Sequence, residues 1–303
     1  MRPETSRNGD VLLTAIAPAI WGSTYLVTTG LLPQGYPLTV AMLRALPAGL
    51  ILLLLVRRLP TGGWWWRSFV LGALNFSIFW ALLFVSAYRL PGGVAATVGA
   101  IQPLIVLLLA RLVIGTPVKA AAVAAALAGI LGVALMVLSP DAALDPIGIA
   151  AGLGGAAAMA AGTVFSRHWQ PPVSALTVTA WQLTAGGLLL LPVALIFEPA
   201  LPVPTLHHLI GFVHLGVFGA AVSYMLWFRG LGRLGPGSVA PLALLSPVTA
   251  VILGLSIAGE HLSMVQALGI ALVLGSVLAA QWVQRPRPVK APWPPVEPLR
   301  EDR

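Results

Sequence analysis

One stretch of this chain occurs twice, and that repeat restricts the possible folds more than any other feature. Residues Leu71–Gly115 align with Leu215–Gly259 at a constant offset and without a gap. The matches include an Arg-Leu pair and a proline inside the second apolar run of each copy: Arg89-Leu90 with Arg233-Leu234, and Pro103 with Pro247. Scattered leucines would match by chance in so apolar a sequence, but arginine and proline rarely would. The repeat therefore predicts two halves with the same fold.

The composition places most of the chain in a lipid environment. Of its 303 residues, 58% are hydrophobic and 9% are charged, whereas soluble domains typically carry about a quarter charged residues. Apolar segments near the roughly 20 residues that a helix needs to cross hydrocarbon follow one another along the whole chain. Their predicted bounds are residues 11–31, 37–56, 68–88, 92–113, 117–138, 147–166, 173–197, 206–230, 236–257 and 263–283. This pattern predicts an all-α integral membrane protein with ten transmembrane helices.

The basic residues predict the orientation of these helices. Most of them lie before the first helix, after the last one, or in the loops on the same side, as Arg57, Arg67 and Lys119 do. The opposite loops hold Arg89 alone. Because cytoplasmic loops carry the excess of lysine and arginine, both termini are predicted to be cytoplasmic.

Each half has five helices, an odd number, so the second half enters the membrane from the opposite face. Two inverted repeats of this kind are typical of secondary transporters, whose binding site lies near the bilayer midplane. We expect Trp80 to superpose on Tyr224 and Pro103 on Pro247. The predicted divisions are residues 1–10 as a cytoplasmic N-terminus, 11–138 and 146–283 as the repeats, and 284–303 as a disordered, basic, proline-rich cytoplasmic tail.

The same features argue against several other classes of protein. The chain has no cysteine, which excludes disulfides and thiolate chemistry. Its net charge of +8 is spread between apolar spans, so we expect a lipid bilayer and not nucleic acid as its partner. The scattered histidines form no metal-binding motif, and we expect no metal and no cofactor. An integral membrane enzyme is the alternative class, but no nucleophile motif supports it.

Short motifs resemble those of the EamA group of the drug/metabolite transporter superfamily. They are Trp21-Gly22-Ser23 in the first helix, the prolines of the fourth and ninth helices, and Gly259-Glu260-His261-Leu262 before the last helix. The resemblance covers about Val11 to Val283. It implies a multi-pass protein of the bacterial inner membrane with helices 1–4 and 6–9 around a cavity. The chain departs from the family where Gly115 is followed by Thr116, since the family often has Gly-Glu there.

Polar and aromatic side chains inside the helices are the candidates for a substrate site, because such groups are costly against lipid. The candidate substrate-binding residues are Trp21, Tyr25, Arg44, Asn75, Phe79, Trp80, Gln102, Met159, Thr163, Gln182, His214, Tyr224 and Ser246. Pro103 and Pro247 are candidate hinges. The ordinary alternatives are helix packing for the polar groups and simple kinks for the prolines.

Arg44 and His214 are the two ionisable candidates at membrane depth. Arg44 lies roughly 10 Å inside the second helix. It either extends to the outer interface or faces the cavity and pairs with a carboxylate, from Glu260 or from the substrate. His214 is the single candidate for a proton relay, with helix packing as its alternative.

These residues predict a transporter that exports small metabolites by alternating access. Amino acids, including aromatic or neutral ones, are the leading substrates, because the candidate site combines aromatic rings, amides and one arginine. In this the chain resembles the amino-acid exporters typified by YddG. The lack of acidic residues at depth favours facilitated uniport. Alternatives are a proton-coupled drug/metabolite exporter and a nucleotide-sugar-type carrier, and the sequence leaves monomer and homodimer open.

Overall fold

The protein is a bundle of membrane-spanning helices. The computed structural model describes residues 4–90, 98–137, 145–170, 172–257 and 263–284, and all regular structure in these ranges is helical. Eight helices there are long and apolar enough to cross a membrane, and Gln102–Ile114 and Ala120–Leu135 are shorter apolar helices. The predicted fold class, an all-helical membrane protein, is confirmed. The tail after residue 284 and the motif from Gly259 to Leu262 lie outside the described residues.

We number the membrane helices α1 to α10. Five of them are continuous: α2 (Pro37–Val56), α5 (Ala120–Val137), α6 (Pro146–Trp169), α7 (Ala175–Phe197) and α10 (Met264–Val283). The described part of α4 is Gln102–Ile114. The other four helices are each divided into segments. Helix α1 consists of Glu4–Gly22 and Thr24–Leu31, and α3 of Trp64–Gly72, Ala73–Ser77 and Ile78–Arg89. Helix α8 consists of Leu206–Val213, His214–Val222 and Ser223–Leu234, and α9 of Pro236–Val239, Ala240–Leu244 and Leu245–Ile257.

Several helices extend beyond the predicted bounds. The first begins at Glu4 instead of Val11, the third at Trp64 instead of Ser68, and the eighth ends at Leu234 instead of Gly230. Hydropathy detects the part of a helix that lies in hydrocarbon, whereas the helix itself continues into the interface until its backbone can hydrogen-bond elsewhere. The first helix forms one candidate membrane span, Arg7–Thr28, and its backbone is irregular at Ser23. There α1 is interrupted, and the Ser23 hydroxyl donates to the Ile20 carbonyl at 2.7 Å.

The two copies of the repeat depart from α-helical geometry at matching positions. The segments Ala73–Ser77 in α3 and His214–Val222 in α8 are both π-helical. Irregular backbone also precedes each repeated proline: a turn at Ala100 and Ile101 before Pro103, and the 3₁₀ segment of α9 before Pro247. A proline lacks an N–H and its ring clashes with the carbonyl four residues earlier, which accounts for both interruptions.

A reciprocal contact between α2 and α7 joins the two halves. A Cβ added to Gly49 would lie 2.4 Å from the Thr184 backbone nitrogen, and one added to Gly187 would lie 2.7 Å from that of Leu46. The repeat extends to these helices with a small shift, since Leu38-Thr39-Val40 matches Leu176-Thr177-Val178. This register aligns Gly49 with Gly187 and Leu46 with Thr184, so each half makes the same contact to the other. A two-fold relation between the halves requires this reciprocity, and glycine permits the close approach of the backbones.

Salt bridges join the first helix of each half to the third helix of the other half, one set at each end of the molecule. Asp10 of α1 pairs with Arg229 at 2.8 Å and with Arg233 at 3.0 Å. At the other end Arg89, which aligns with Arg233, pairs with Asp145 at 3.4 Å. The Asp145 carboxylate also accepts the Gly148 backbone N–H at the start of α6. That hydrogen bond and the nearby Arg89 lower the pKa of Asp145.

Replacing Gly187 tests the contact between α2 and α7. We expect Gly187→Ala to lower the free energy of unfolding by about 1–3 kcal/mol, because its Cβ would overlap the Leu46 backbone and the helices would have to separate. Gly275→Ala in α10 is the matched control, since nothing lies within 4 Å of its added Cβ. Thermal unfolding in detergent measures both variants. Equal stability of the two proteins would contradict the close packing.

Candidate functional site

An aromatic cluster occupies the centre of the bundle, where α1, α3 and α8 meet. The Trp21 ring lies 4.8 Å from Tyr224 and 5.0 Å from Trp227, and the Phe76 ring lies 4.6 Å from Tyr224 and 5.2 Å from Trp80, measured between centroids. Tyr224 and Trp80 are each 2% exposed. The rings of this cluster pack against one another.

Arg44 reaches this cluster from α2. Its Nη2 donates to the Gly219 carbonyl at 2.6 Å, and its guanidinium carbon lies 4.7 Å from the Trp80 ring centroid. The side chain is 9% exposed, so it points into the protein and does not extend to the outer interface. Gly219 lies in the π-helical segment of α8. Such a segment breaks the regular backbone pattern, which allows a carbonyl to accept from a side chain.

Gln182 occupies the position in α7 that aligns with Arg44. Its Oε1 accepts from Asn75 Nδ2 at 2.7 Å, and Asn75 aligns with Gly219. The halves therefore make the same contact, between α2 and α8 and between α7 and α3. One contact joins a cation to a carbonyl, and the other joins two neutral amides. Asn75 Nδ2 also lies 3.3 Å from Ser166 Oγ of α6.

His214 links α8 to the interruption in α1. Its Nε2 lies 3.0 Å from Ser23 Oγ, and its ring packs 5.7 Å from Phe218 between centroids. The Ser23 hydroxyl already donates its proton to the Ile20 carbonyl. While the hydroxyl donates to Ile20 it accepts from His214 Nε2–H, and the other histidine tautomer would reverse these two roles.

The remaining candidates differ in their surroundings. Gln102 and Thr163 are buried, and their Nε2 and Oγ1 atoms have no hydrogen-bond partner among the described residues. Met159 and Phe79 pack in the apolar core that contains the aromatic cluster. Ser246 contributes backbone, since its carbonyl would lie 2.5 Å from a Cβ on Gly22. The backbone of Tyr25 lies in α1, and its side chain is outside the described part of the structure.

The candidate residues left out three members of this site, which are Phe76, Trp227 and Gly219. Phe76 lies in the middle of the aromatic cluster, and the signal for it was its helical spacing from Trp80, on the same face of α3. Gly219 accepts from Arg44 through its backbone. A hydropathy pattern does not reveal which glycine carbonyl accepts a hydrogen bond. The available signal was the alignment of Gly219 with Asn75, which contacts Gln182 in the other half.

A double-mutant cycle tests the contact between Asn75 and Gln182. Interhelical hydrogen bonds in membrane proteins contribute on average about 0.6 kcal/mol and up to about 1–2 kcal/mol. We expect Asn75→Ala and Gln182→Ala to show a coupling of that size in unfolding free energy. Asn75→Ala with Thr179→Ala is the control pair, because the Thr179 hydroxyl donates to the Ala175 carbonyl of its own helix. If both pairs are additive, the amide contact carries no energy.

The fold and this site define an all-helical membrane transporter built from duplicated halves. Residues 9–138 and 146–280 each match the EamA-like transporter family. The chain therefore belongs to the EamA-like transporter family of the drug/metabolite transporter superfamily, and it is a transporter and not an enzyme.

Similar proteins agree with this assignment. Protein PecM of Dickeya dadantii (strain 3937) is 43% identical over 267 residues, which span 88% of this chain and 90% of PecM. YedA of Escherichia coli (strain K12), described as an uncharacterized inner membrane transporter, is 27% identical over 281 residues, or 90% of this chain and 92% of YedA. One solved structure superposes with a TM-score of 0.78 at 22% identity, covering 92% of this chain and 99% of its own, which shows the fold. Like these bacterial relatives, the protein is a multi-pass inner membrane transporter.

Proposed function

We propose that this transporter exports small metabolites that carry a carboxylate, with aromatic and neutral amino acids as the leading class. The observation that carries the proposal is the burial of Arg44 beside the aromatic cluster. A guanidinium and a cluster of aromatic rings at one place would bind the two chemically different ends of an amino acid.

The charge of Arg44 requires a counter-charge that its present contacts do not supply. Burying an ionised group is costly unless it is paired. Its partners among the described residues are a neutral carbonyl of Gly219 and the face of Trp80. Its Nε is buried and has no hydrogen-bond partner there. A substrate carboxylate would complete the pairing through charge-assisted hydrogen bonds.

The aromatic cluster would bind the apolar part of the substrate. Aromatic pairs favour offset and edge-to-face contacts at centroid distances of about 4.5–7 Å, so a ring from the substrate could take the place of one contact within the cluster. Tyr224 and Trp21 face each other across α8 and α1, which contact each other along the bundle. Separating these two helices would open the cluster.

Irregular backbone in five helices provides places where such a motion can bend the bundle. The break at Ser23, the π-helical segments of α3 and α8, and the irregular backbone before Pro103 and Pro247 all lie at the level of the site residues along their helices. We propose Pro103 and Pro247 as hinges in alternating access between the two halves. Gly22 packs against Ser246 and Thr249 between these elements.

The competing carriers fit the site less well. A nucleotide-sugar carrier would need further cations at depth, but Arg44 is the single buried lysine or arginine among the described residues. A proton-coupled exporter would need an acidic relay there. Glu198 is instead used at the end of α7, where its carboxylate accepts from the backbone of Leu38 and Thr39 at 2.6 and 2.7 Å.

Replacing Arg44 tests its role in substrate binding. In liposomes, we expect Arg44→Met to reduce uptake of labelled L-phenylalanine at least about tenfold per folded molecule, because a hydrogen bond to a charged group contributes about 1.5–3 kcal/mol. The exposed Arg58→Met is the matched control and should transport normally. Unchanged transport by Arg44→Met, with folding verified by size-exclusion chromatography, would reject the carboxylate-binding role.

An imposed pH gradient tests facilitated uniport. We expect counterflow of labelled phenylalanine at equal pH on both sides, and no uphill accumulation when a pH gradient is imposed without a substrate gradient. The physical reason is that His214 is held by Ser23 and no acidic relay accompanies it among the described residues. Accumulation driven by the pH gradient and abolished by His214→Ala would overturn uniport and make His214 the coupling group.

A further inference from the structure

A pocket opens between α6, α7 and α8 at the end of the bundle that carries most basic residues, which the loop charges assign to the cytoplasm. Its volume is about 430 Å³, within the range of small-molecule sites. Both polar and apolar side chains line it, including Ser166, Gln170, Val178, Phe228, Arg229 and Arg233. The pocket therefore suits a small molecule with one anionic and one apolar end.

The arginines at this pocket have an excess of positive charge. Arg229 and Arg233 share one oxygen of Asp10, at 2.8 and 3.0 Å. The Nη1 atom of Arg229 is buried and has no hydrogen-bond partner among the described residues. Arg167 approaches as well and donates to the Gly232 carbonyl. One carboxylate thus faces two guanidinium groups, and a second anion would complete the set.

The first half of the repeat lacks this arrangement. Arg89 aligns with Arg233 and has Asp145 as its own partner. The position aligned with Arg229 is Val85, which is exposed and apolar. The general bias for basic residues at the cytoplasmic face explains their number there. It does not explain the burial of Arg229 Nη1 beside a pocket with an apolar wall.

We infer that this pocket is a cytoplasmic loading site, which binds the carboxylate of the substrate before the substrate reaches Arg44. The inference rests on the proposed function and adds a second site to it. Phe228 and Val178 would contact the apolar end of the substrate. A polar route leads inward, since Ser166 of the pocket wall accepts from Asn75, which in turn bonds Gln182.

A loading site on one side changes kinetics but not the final equilibrium. A uniporter cannot accumulate its substrate, so the ratio of maximal rate to half-saturating concentration must be equal in the two directions at zero gradient. A tighter cytoplasmic site therefore lowers the half-saturating concentration for efflux together with the maximal rate of efflux. Export would then saturate at low cytoplasmic concentration, whereas uptake from outside would need more substrate.

Direct binding tests the pocket independently of transport. The full chain, carrying Arg44→Met to remove the central cation, is placed in phosphatidylcholine nanodiscs and titrated calorimetrically with 3-phenylpropionate. We expect binding that Arg229→Val weakens about tenfold or more, since a charge-assisted hydrogen bond is lost. The neutral amide of the probe should not bind. Asp10→Asn should tighten binding, because it removes the carboxylate that competes for both arginines.

Each alternative result overturns the loading site. Equal binding to the parent and to Arg229→Val would do so, as would weaker binding in Asp10→Asn when the variant remains folded. Loss of all binding with Arg44→Met alone would assign the anion to the centre. Displacement of the probe in nanodiscs containing phosphatidylglycerol would identify the pocket as a lipid headgroup site. Binding through Arg229 in a protein that transports no amino acid would support the pocket and reject the proposed substrate class.

Discussion

The hydrocarbon interior offers no water to hydrogen-bond, so polar groups at membrane depth need partners within the protein. This constraint explains why the interrupted helices and the polar side chains of this protein occur together. Arg44 uses a carbonyl in the π-helical segment of α8, and His214 uses a hydroxyl at the break in α1. The break at Ser23 and the π-helical segments of α3 and α8 thus each take part in a hydrogen bond with a neighbouring helix. The irregular segments and the candidate site therefore lie in the same part of the bundle and depend on the same hydrogen bonds.

The two halves share a backbone design but differ in charge. The contact of Arg44 with Gly219 corresponds to that of Gln182 with Asn75, and the pairing of Arg233 with Asp10 corresponds to that of Arg89 with Asp145. The proposed alternating access would have the halves exchange conformations, which a shared backbone design permits. The differences in charge distinguish the two halves chemically.

Much of the fold could be predicted because it depends on features that sequence records directly. The repeat around Pro103 and Pro247, the apolar lengths and the basic loops predicted ten helices in two matching halves. Several residues of the candidate site could be chosen from the sequence, but the contacts between them could not. The contact of Arg44 depends on a backbone carbonyl, and the packing of Trp80 on Phe76 depends on the rotation of α3. Neither a carbonyl acceptor nor a helix rotation has a periodic signature in the sequence.

Arg44 and Gln182 occupy aligned positions in the two halves, and these positions can hold different residues because both halves belong to one chain. Two separate five-helix chains of identical sequence, joined as a dimer, would carry an arginine at both positions. Two unpaired guanidinium groups within one bundle core would repel each other and double the cost of burial. When both halves lie in a single polypeptide, the two aligned positions need not hold the same residue. A single buried charge, beside a neutral amide pair, is an arrangement that an exact homodimer of half-length chains could not form.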